Sequence, residues 1–303
     1  MRLRSILKRS LELVGAHGGF GSLGRFGRRR DVIVLAYHNV VADEAIIRGD
    51  ASLHIRERDF RRQVEGLVRT HDIVPLSSIF EASERRSGRP RAVITFDDAY
   101  LGAVTRGVHV LAEVGAPGTI FVAPKLLGGN TWWDLLASPS DGAVAPSTRD
   151  QCLVQFRGDG ETILSHLDAR VRPLDYDMRI ASETELADAA SHAGISIGSH
   201  TWSHPNLRTL DRSQIDQELR RSVSWLRDRY ASFVPWLAYP YGLYNAGVEE
   251  AAREAGFDGA LRVDGGWFRS SAPQNRFAVP RINIPSSASF EGFRLHIDGI
   301  KHG

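Results

Sequence analysis

Short apolar, β-branched runs recur along the chain, and polar stretches with helical periodicity separate them. The runs are "VIVLAY" (32–37), "AVITF" (92–96), "GTIFVA" (118–123), "GISIGS" (194–199), "PWLAY" (235–239), "GALRV" (259–263) and "RFAV" (276–279). Their length and composition suit buried strands. Between them, "ERDFRRQVEGLVRTH" sets Phe60, Val64, Leu67 and Val68 on one helical stripe, and "RGVHVLAEVG" halts at a glycine. "SETELADAASHAG" opens with Ser182 and Glu185 in capping-box spacing. "DRSQIDQELRRSVSWLRDRY" aligns Ile215, Leu219, Val223 and Leu226, and "VEEAAREAG" is the last clear helical stretch. Strands alternating with helices of this length imply βα units and a parallel sheet. The expected fold is α/β, a distorted parallel (β/α) barrel of about seven units. Residues 125–180, with "TWWDLLA" and the polar "SPSDGAVAPSTRD", break the rhythm and read as an insertion after the third strand, over one face of the barrel.

Chemically capable residues follow the strands. His38 comes after the first run, Asp97 and Asp98 after the second, and His200 and His204 after the fourth. Tyr239, Pro240 and Tyr241 stand at the end of the fifth, Asp264 after the sixth and Arg281 after the last. The carboxyl ends of the strands form the catalytic face of a parallel barrel. A pair of histidines four apart is weak evidence alone, but this pair shares that face with two adjacent carboxylates. Two neutral imidazoles and one carboxylate make a three-point site for a divalent metal, able to polarise a carbonyl and acidify a water. Adjacent residues at a strand end point in different directions, so one aspartate can be ligand and the other general base. His38 reads equally as a site residue and as a buried core histidine. Trp132, Trp133 and Trp202 read first as core or lid, and Asp134 as a helix cap or a neighbour of the site.

Composition narrows the functional classes. The chain has 303 residues, with 42% hydrophobic and 24% charged residues and a formal net charge of +2. That balance is ordinary for a globular soluble protein and gives no footprint for nucleic acid. The single cysteine, Cys152, excludes an internal disulfide and a thiolate zinc cluster. No GxGxxG follows the first strand, which argues against a dinucleotide fold. Residues 1–30 are basic, with Glu12 the one acidic residue, and end in "GRRR". No signal peptide or membrane-spanning run is evident in the sequence, so a cytoplasmic location is expected. Residues 1–30 read as a tail outside the catalytic domain of residues 31–303. A weak contact with an anionic membrane surface is the second reading of that tail.

"TFDD", "HTWSH" and "YPYG", in this order, resemble the first three motifs of the polysaccharide deacetylase family, the NodB-homology domain of carbohydrate esterase family 4. The resemblance covers roughly residues 31–300, including "LAYHNV", "TWWDLLA" and "FAVPRINI". It implies a distorted (β/α) barrel that removes acetyl groups from N-acetylated or O-acetylated sugars of a polysaccharide or its precursor. Also implied is one divalent metal, zinc first, with Co2+, Ni2+, Mn2+ and Fe2+ compatible. By motif, Asp97 becomes the general base, and Asp98, His200 and His204 the metal ligands. Pro240 and Tyr241 would line the acetate pocket, with the Tyr241 N–H on the oxyanion. Trp133, Asp264 and His38 are expected on the substrate side.

Two positions depart from the pattern. Ala238 stands where many relatives carry an arginine that orients the base, and Arg281 is expected to reach Asp97 instead, because a closing barrel returns late strands beside early ones. The late Leu-x-His motif is not evident, since Leu295 directly precedes His296. "YPYG" and "PRI" bring the chain nearest to a subgroup found with exopolysaccharide synthesis. Two alternatives have sequence tests. An amidohydrolase acting on a small non-sugar amide would usually show an altered metal motif, and a non-catalytic glycan-binding domain would have lost a base or a ligand. The oligomeric state is not set by the sequence. Deleting residues 1–30 is expected to leave the circular dichroism spectrum and unfolding midpoint of the remaining domain unchanged while altering vesicle binding; loss of folding would contradict the tail reading.

Overall fold

A computed structural model describes residues 31–81, 88–167, 174, 176–269 and 275–299. The tail expected at residues 1–30 lies outside the described residues. Six strands follow one another in a curled sheet: β1 (Asp31–Tyr37), β5 (Arg91–Phe96), β6 (Gly118–Val122), β7 (Ile195–Ser199), β8 (Phe233–Ala238) and β9 (Gly259–Leu261). Each pairs in parallel with the next. Among the described residues no helix is long and apolar enough to cross a membrane.

Five helices are those the periodicity predicts, at 57–70, 108–113, 183–191, 212–229 and 246–254; the helix at 290–297 carries no such signal. Helix α1 (Glu57–Thr70) buries Phe60, Val64 and Leu67. A π-turn at Ala103–Gly107 leads into α2 (Val108–Glu113). Three short helices, α3 (Trp132–Leu136), α4 (Pro146–Val154) and α5 (Gly160–His166), fill the expected insertion and close on their own cluster of Trp132, Trp133, Val144, Cys152 and Ile163. Ser182 and Glu185 form the capping box of α6 (Glu183–Ser191). Helices α7 (Arg212–Arg229), α8 (Ala246–Glu254) and α9 (Phe290–Ile297) complete the shell.

Side-chain alternation along the strands separates two cores. Ile33, Leu35, Ile94, Phe96, Ile120, Val122 and Ile197 face outward and pack with Phe60, Leu67, Leu111 and Leu186 of the helices. Val32, Val34, Val93, Phe121, Trp236, Ala238, Leu261 and Val279 face inward and pack on one another. The inner cluster carries no α-helix residue, only Leu76 and Ile79 of a 3-10 turn joining the strands, which marks it as the barrel interior.

The closing edge departs from the seven-unit expectation. Residues 276–279 were expected as a strand, but Arg276–Ala278 is a 3-10 turn, capped by the Asn275 side chain on the Phe277 N–H. Val279 alone bridges to Leu261 of β9. Pro280 has no N–H to continue a ladder, and the chain passes on to β11 (Ile282–Asn283), which pairs in parallel with β1. Residues 279–283 therefore stitch β9 to β1. A two-residue strand, β10 (Phe268–Arg269), runs antiparallel on the other part of β1. Short strands β2 (Asn39–Val41) and β3 (His54–Arg56) form a separate parallel pair, and β4 (Asp72–Ile73) adds to β5.

Gly198 of β7 shows how tightly the interior is filled. A Cβ there would lie 2.5 Å from the Phe121 ring and 3.2 Å from the Trp236 carbonyl oxygen. Gly198→Ala is expected to destabilise the fold by about 1–3 kcal/mol through overpacking, read as a lower urea midpoint with an unchanged slope.

Candidate active site

The same alternation aims the site residues. Val93 faces the interior, so Thr95 and Asp97 follow it on that face; Gly198 does, so His200 does too. Beyond the strands the backbone turns sharply. Asp98 (φ 68), Ala99 (φ 56), Thr201 (φ 68), His204 (φ 62) and Tyr241 (φ 57) all adopt left-handed conformations without being glycine. Such residues persist where the surroundings over-determine them, and they cluster at functional sites.

Asp98, His200 and His204 are buried, and one ligand atom from each lies within 4.8 Å of the others. Nε2 of His204 is 3.1 Å from Nε2 of His200 and 3.2 Å from Oδ1 of Asp98. The His200 Nδ1–H donates to the Ala238 carbonyl at 2.8 Å, which leaves the Nε2 lone pair facing the other two groups. Burial lowers the pKa of both imidazoles and keeps them neutral. Burial, then the charges of Asp97 and Asp134, push Asp98 well above the usual carboxylate range. Its Oδ1 is buried with no hydrogen-bond partner. Two neutral imidazoles and an unsatisfied carboxylate oxygen, converging on one point, fit a divalent cation, whose charge would stabilise the ionised Asp98.

Asp97 is treated in the opposite way. Burial alone would raise its pKa, but the Arg281 guanidinium beside it, with His200 and His38, holds the carboxyl below its ordinary range. Arg281 is fully buried and grips Asp97 with two bonds, Nη1 to Oδ1 at 2.7 Å and Nη2 to Oδ2 at 2.8 Å. The guanidinium is itself fixed by Nε–H to the Arg262 carbonyl at 3.1 Å and Nη1–H to Thr95 Oγ1 at 3.2 Å. Two neighbouring carboxylates are thereby pushed apart in acidity, as acid–base sites require.

One cavity of about 590 Å³ is lined by Asp97, Asp98, His200, His204, His38, Trp133 and Tyr241. Burial takes the pKa of His38 down to about 4 against the opposing pull of Asp97. The turn after β8 is closed by Gly242 N–H to Tyr239 O and Leu243 N–H to Pro240 O. Among the described residues, the Tyr241 N–H between them makes no hydrogen bond. Three expected residues are absent from the cavity wall. Pro240 is buried inside the turn. Arg281 stands behind Asp97. Asp264 points outward, with its side chain 73% exposed and paired to Arg262 at 2.9 Å. Leu261 faces inward, so the alternation passes to Val263, which lines the cavity, and leaves Asp264 on the outward side. Sequence reading missed the strap Asp50–Leu53, Asp141–Val144, Arg149 of α4, Val263, Asn283 of β11, Ser286 and Ser287, which complete the wall. Apart from Val263 in "GALRV" and Asn283 in "FAVPRINI", they lie in segments with no motif to mark them.

Fold and site together give a parallel barrel with a paired aspartate beside three converging donor atoms. A profile of the polysaccharide deacetylase family matches residues 84–260. The putative polysaccharide deacetylase YxkH of Bacillus subtilis (strain 168) is 22% identical over 274 residues, covering 88% of this chain and 76% of that protein. IcaB from Ammonifex degensii has a similar fold, with a TM-score of 0.62 at 16% identity over 89% of this chain and 97% of that one. The Streptococcus pyogenes deacetylase PplD, solved with acetate, gives a TM-score of 0.60 at 14% identity over 88% and 97% of the two chains. The chain belongs to the polysaccharide deacetylase family, whose enzymes hydrolyse the amide C–N bond of acetylated sugars and generally depend on a metal.

The Asp97–Arg281 pair gives a pH-dependent expectation. With Arg281 present the native state keeps Asp97 ionised at lower pH than the unfolded chain does. The pair therefore stabilises the fold above the ordinary carboxylate pKa and loses that contribution as pH falls toward the lowered native value. Arg281→Met leaves a buried carboxylate unpaired, which costs about 3–5 kcal/mol near pH 7. Protonation relieves that cost, so the gap to wild type should narrow between pH 7 and about pH 4. Urea denaturation across that range checks it; a gap that stays constant or widens would contradict the assignment.

Proposed function

We propose that this protein is a metal-dependent deacetylase that removes acetyl groups from an N-acetylated sugar of a polysaccharide or its precursor. Asp98, His200 and His204 would hold the ion; His2Asp suits zinc first, and Co2+, Ni2+, Mn2+ and Fe2+ as well. A divalent ion held there would supply Lewis acidity toward the amide carbonyl and acidify a water molecule. What carries the reading is the neighbouring pair: Asp97, clamped ionised by Arg281, opens onto the same cavity as the three converging donor atoms.

Asp97 is the general base. It takes a proton from the attacking water, and because its pKa is lowered, the protonated carboxyl readily passes that proton to the leaving amine. Arg281 does not face the cavity, so it is a positioning residue that fixes the rotamer and charge of Asp97. The Tyr241 N–H is the donor for the developing oxyanion. Trp133 and the Tyr241 ring wall the acetyl group, and neutral His38 hydrogen-bonds to the sugar. The acetate bound in PplD is the product expected here. Residues 31–303 form the catalytic domain, and residues 1–30 a tail that influences location.

Asp97→Asn is expected to keep zinc affinity within a few fold of wild type while acetate release falls about 10²–10⁴-fold. The comparison is made by calorimetry and by an acetate-release screen over acetylated glycans, at a temperature where both proteins give the native circular dichroism spectrum. Near wild-type turnover in zinc-loaded Asp97→Asn would move the base elsewhere.

A further inference from the structure

The two candidate ligand histidines are held in different ways. His200 is fixed by its Nδ1–H bond to the Ala238 carbonyl. His204 has a buried Nδ1 with no hydrogen-bond partner among the described residues. Metal-ligating histidines are ordinarily oriented through that second nitrogen, so something else must set the plane of His204.

Aromatic rings surround it. The Trp133 ring lies 4.9 Å from the His204 ring centroid at 47°, and the Tyr241 ring meets it edge-on at 4.6 Å and 78°. Tyr241 is tied by its hydroxyl, which accepts from Trp132 Nε1–H at 3.1 Å and donates to the His204 carbonyl at 3.4 Å. Trp133 is tied more deeply. Its Nε1–H donates to the Tyr100 hydroxyl at 2.8 Å, and that hydroxyl donates to Asp134 Oδ2 at 2.5 Å.

Asp134 is a fixed anchor. Its side chain is fully buried. Besides Tyr100, it accepts from Thr131 Oγ1–H at 2.8 Å, the Asp50 N–H at 2.8 Å and His54 Nε2–H at 3.1 Å. The other His54 nitrogen accepts from Asn39 at 3.1 Å, which sets its tautomer. No slack remains on the open side, since a Cβ on Gly49 would come within 2.6 Å of Asp134 Oδ1. Around Asp134 every bond of this buried network is made, the Asn39 Oδ1 at its far end being without a partner among the described residues, and such a network is rigid. It joins the insertion, the segment after β5 and the strap at Asp50 behind the cavity wall.

We infer that Tyr100 and Asp134 are positioning residues for the cation site, acting through Trp133 to orient His204. This rests on the reading of Asp98, His200 and His204 as metal ligands. Neither Tyr100 nor Asp134 lines the cavity; Tyr100 acts through the ring it pins, and Asp134 through that ring in addition to the charge it sets against Asp98. Pre-organisation of the ligand is what sets affinity at such a site.

Tyr100→Phe keeps the ring and deletes the one hydroxyl that links Trp133 to Asp134. Its affinity for Zn2+ alone, measured by competition with a chromophoric chelator, should fall about 10–100-fold. In a His204→Ala background the same change should shift zinc affinity less than about twofold, because the ring it orients is gone. Asp134→Asn provides the second variant should Tyr100→Phe not fold; because its charge also acts on Asp98, only a loss of zinc affinity that disappears in the His204→Ala background supports the inference. Wild-type zinc affinity in the folded variant overturns the inference, as does an equal loss in the His204→Ala background, which would mean a general loosening of the fold. His200→Ala, measured alongside, separates the two readings: if it binds zinc as tightly as wild type, the ligand set itself is wrong.

Discussion

The bond between Arg281 and Asp97 is the constraint on which the rest of the structure turns. A fully buried guanidinium is costly to leave unpaired, and so is a buried carboxylate. Each satisfies the other with two parallel hydrogen bonds. The partners are 184 residues apart in sequence. They meet only because residues 279–283 cross from β9 to β1 and close the curled sheet. Closing the barrel and setting the acidity of the proposed base are thus one event. The remaining bonds of Arg281 run to Thr95 and to the Arg262 carbonyl, so the guanidinium also ties β5 to the segment just after β9.

This arrangement accounts for Ala238. Many relatives place the base-orienting arginine in the third motif. Here the carbonyl of Ala238 is used to orient His200, and the cation arrives from the closing segment. The electrostatic requirement, a positive group against the back of Asp97, is met from another part of the chain. Asp98 is left without such a partner, and burial and the neighbouring charges raise its pKa. One sequence dipeptide therefore holds a carboxylate already compensated by protein and one that awaits compensation by a cation. That difference is the physical basis for assigning them separate roles.

The site is built on strain as well as charge. Left-handed backbone at Asp98, His204 and Tyr241 turns three consecutive motifs back over the strand ends. Such conformations cost of order 1–3 kcal/mol each, and the packing around them must hold them. The insertion contributes to this: Trp132 and Trp133 wedge against Tyr241 and His204, while Asp134 anchors both the insertion and the strap at Asp50. The excursion after the third long strand is thus structural support for the cavity as well as its cover.

Much of this was legible in the sequence. Strand and helix positions follow from periods of two and of 3.6 residues, because side-chain direction depends on local dihedral angles alone. The same local rule brought His38, Asp97, Asp98, His200, His204 and Tyr241 to one face. It lost force where regular structure stopped. Asp264 was expected at the site, but Leu261 and Val263 take the inward phase at the end of β9 and the Asp264 side chain turns to solvent. The run at 276–279 looked like a strand, yet an Asn275 cap and Pro280 leave it a turn. Trp133 could be placed near the site by its motif, but not its tie through Tyr100 to Asp134. Likewise His54, Asn39 and the strap carry no periodic signal, since their meaning lies in contacts between segments far apart in the chain. What the sequence determined was local: which residues point inward at each strand end. The tertiary structure decided which inward-pointing groups touch, because that depends on where a three-dimensional sheet closes and on how loops of irregular backbone find their hydrogen bonds.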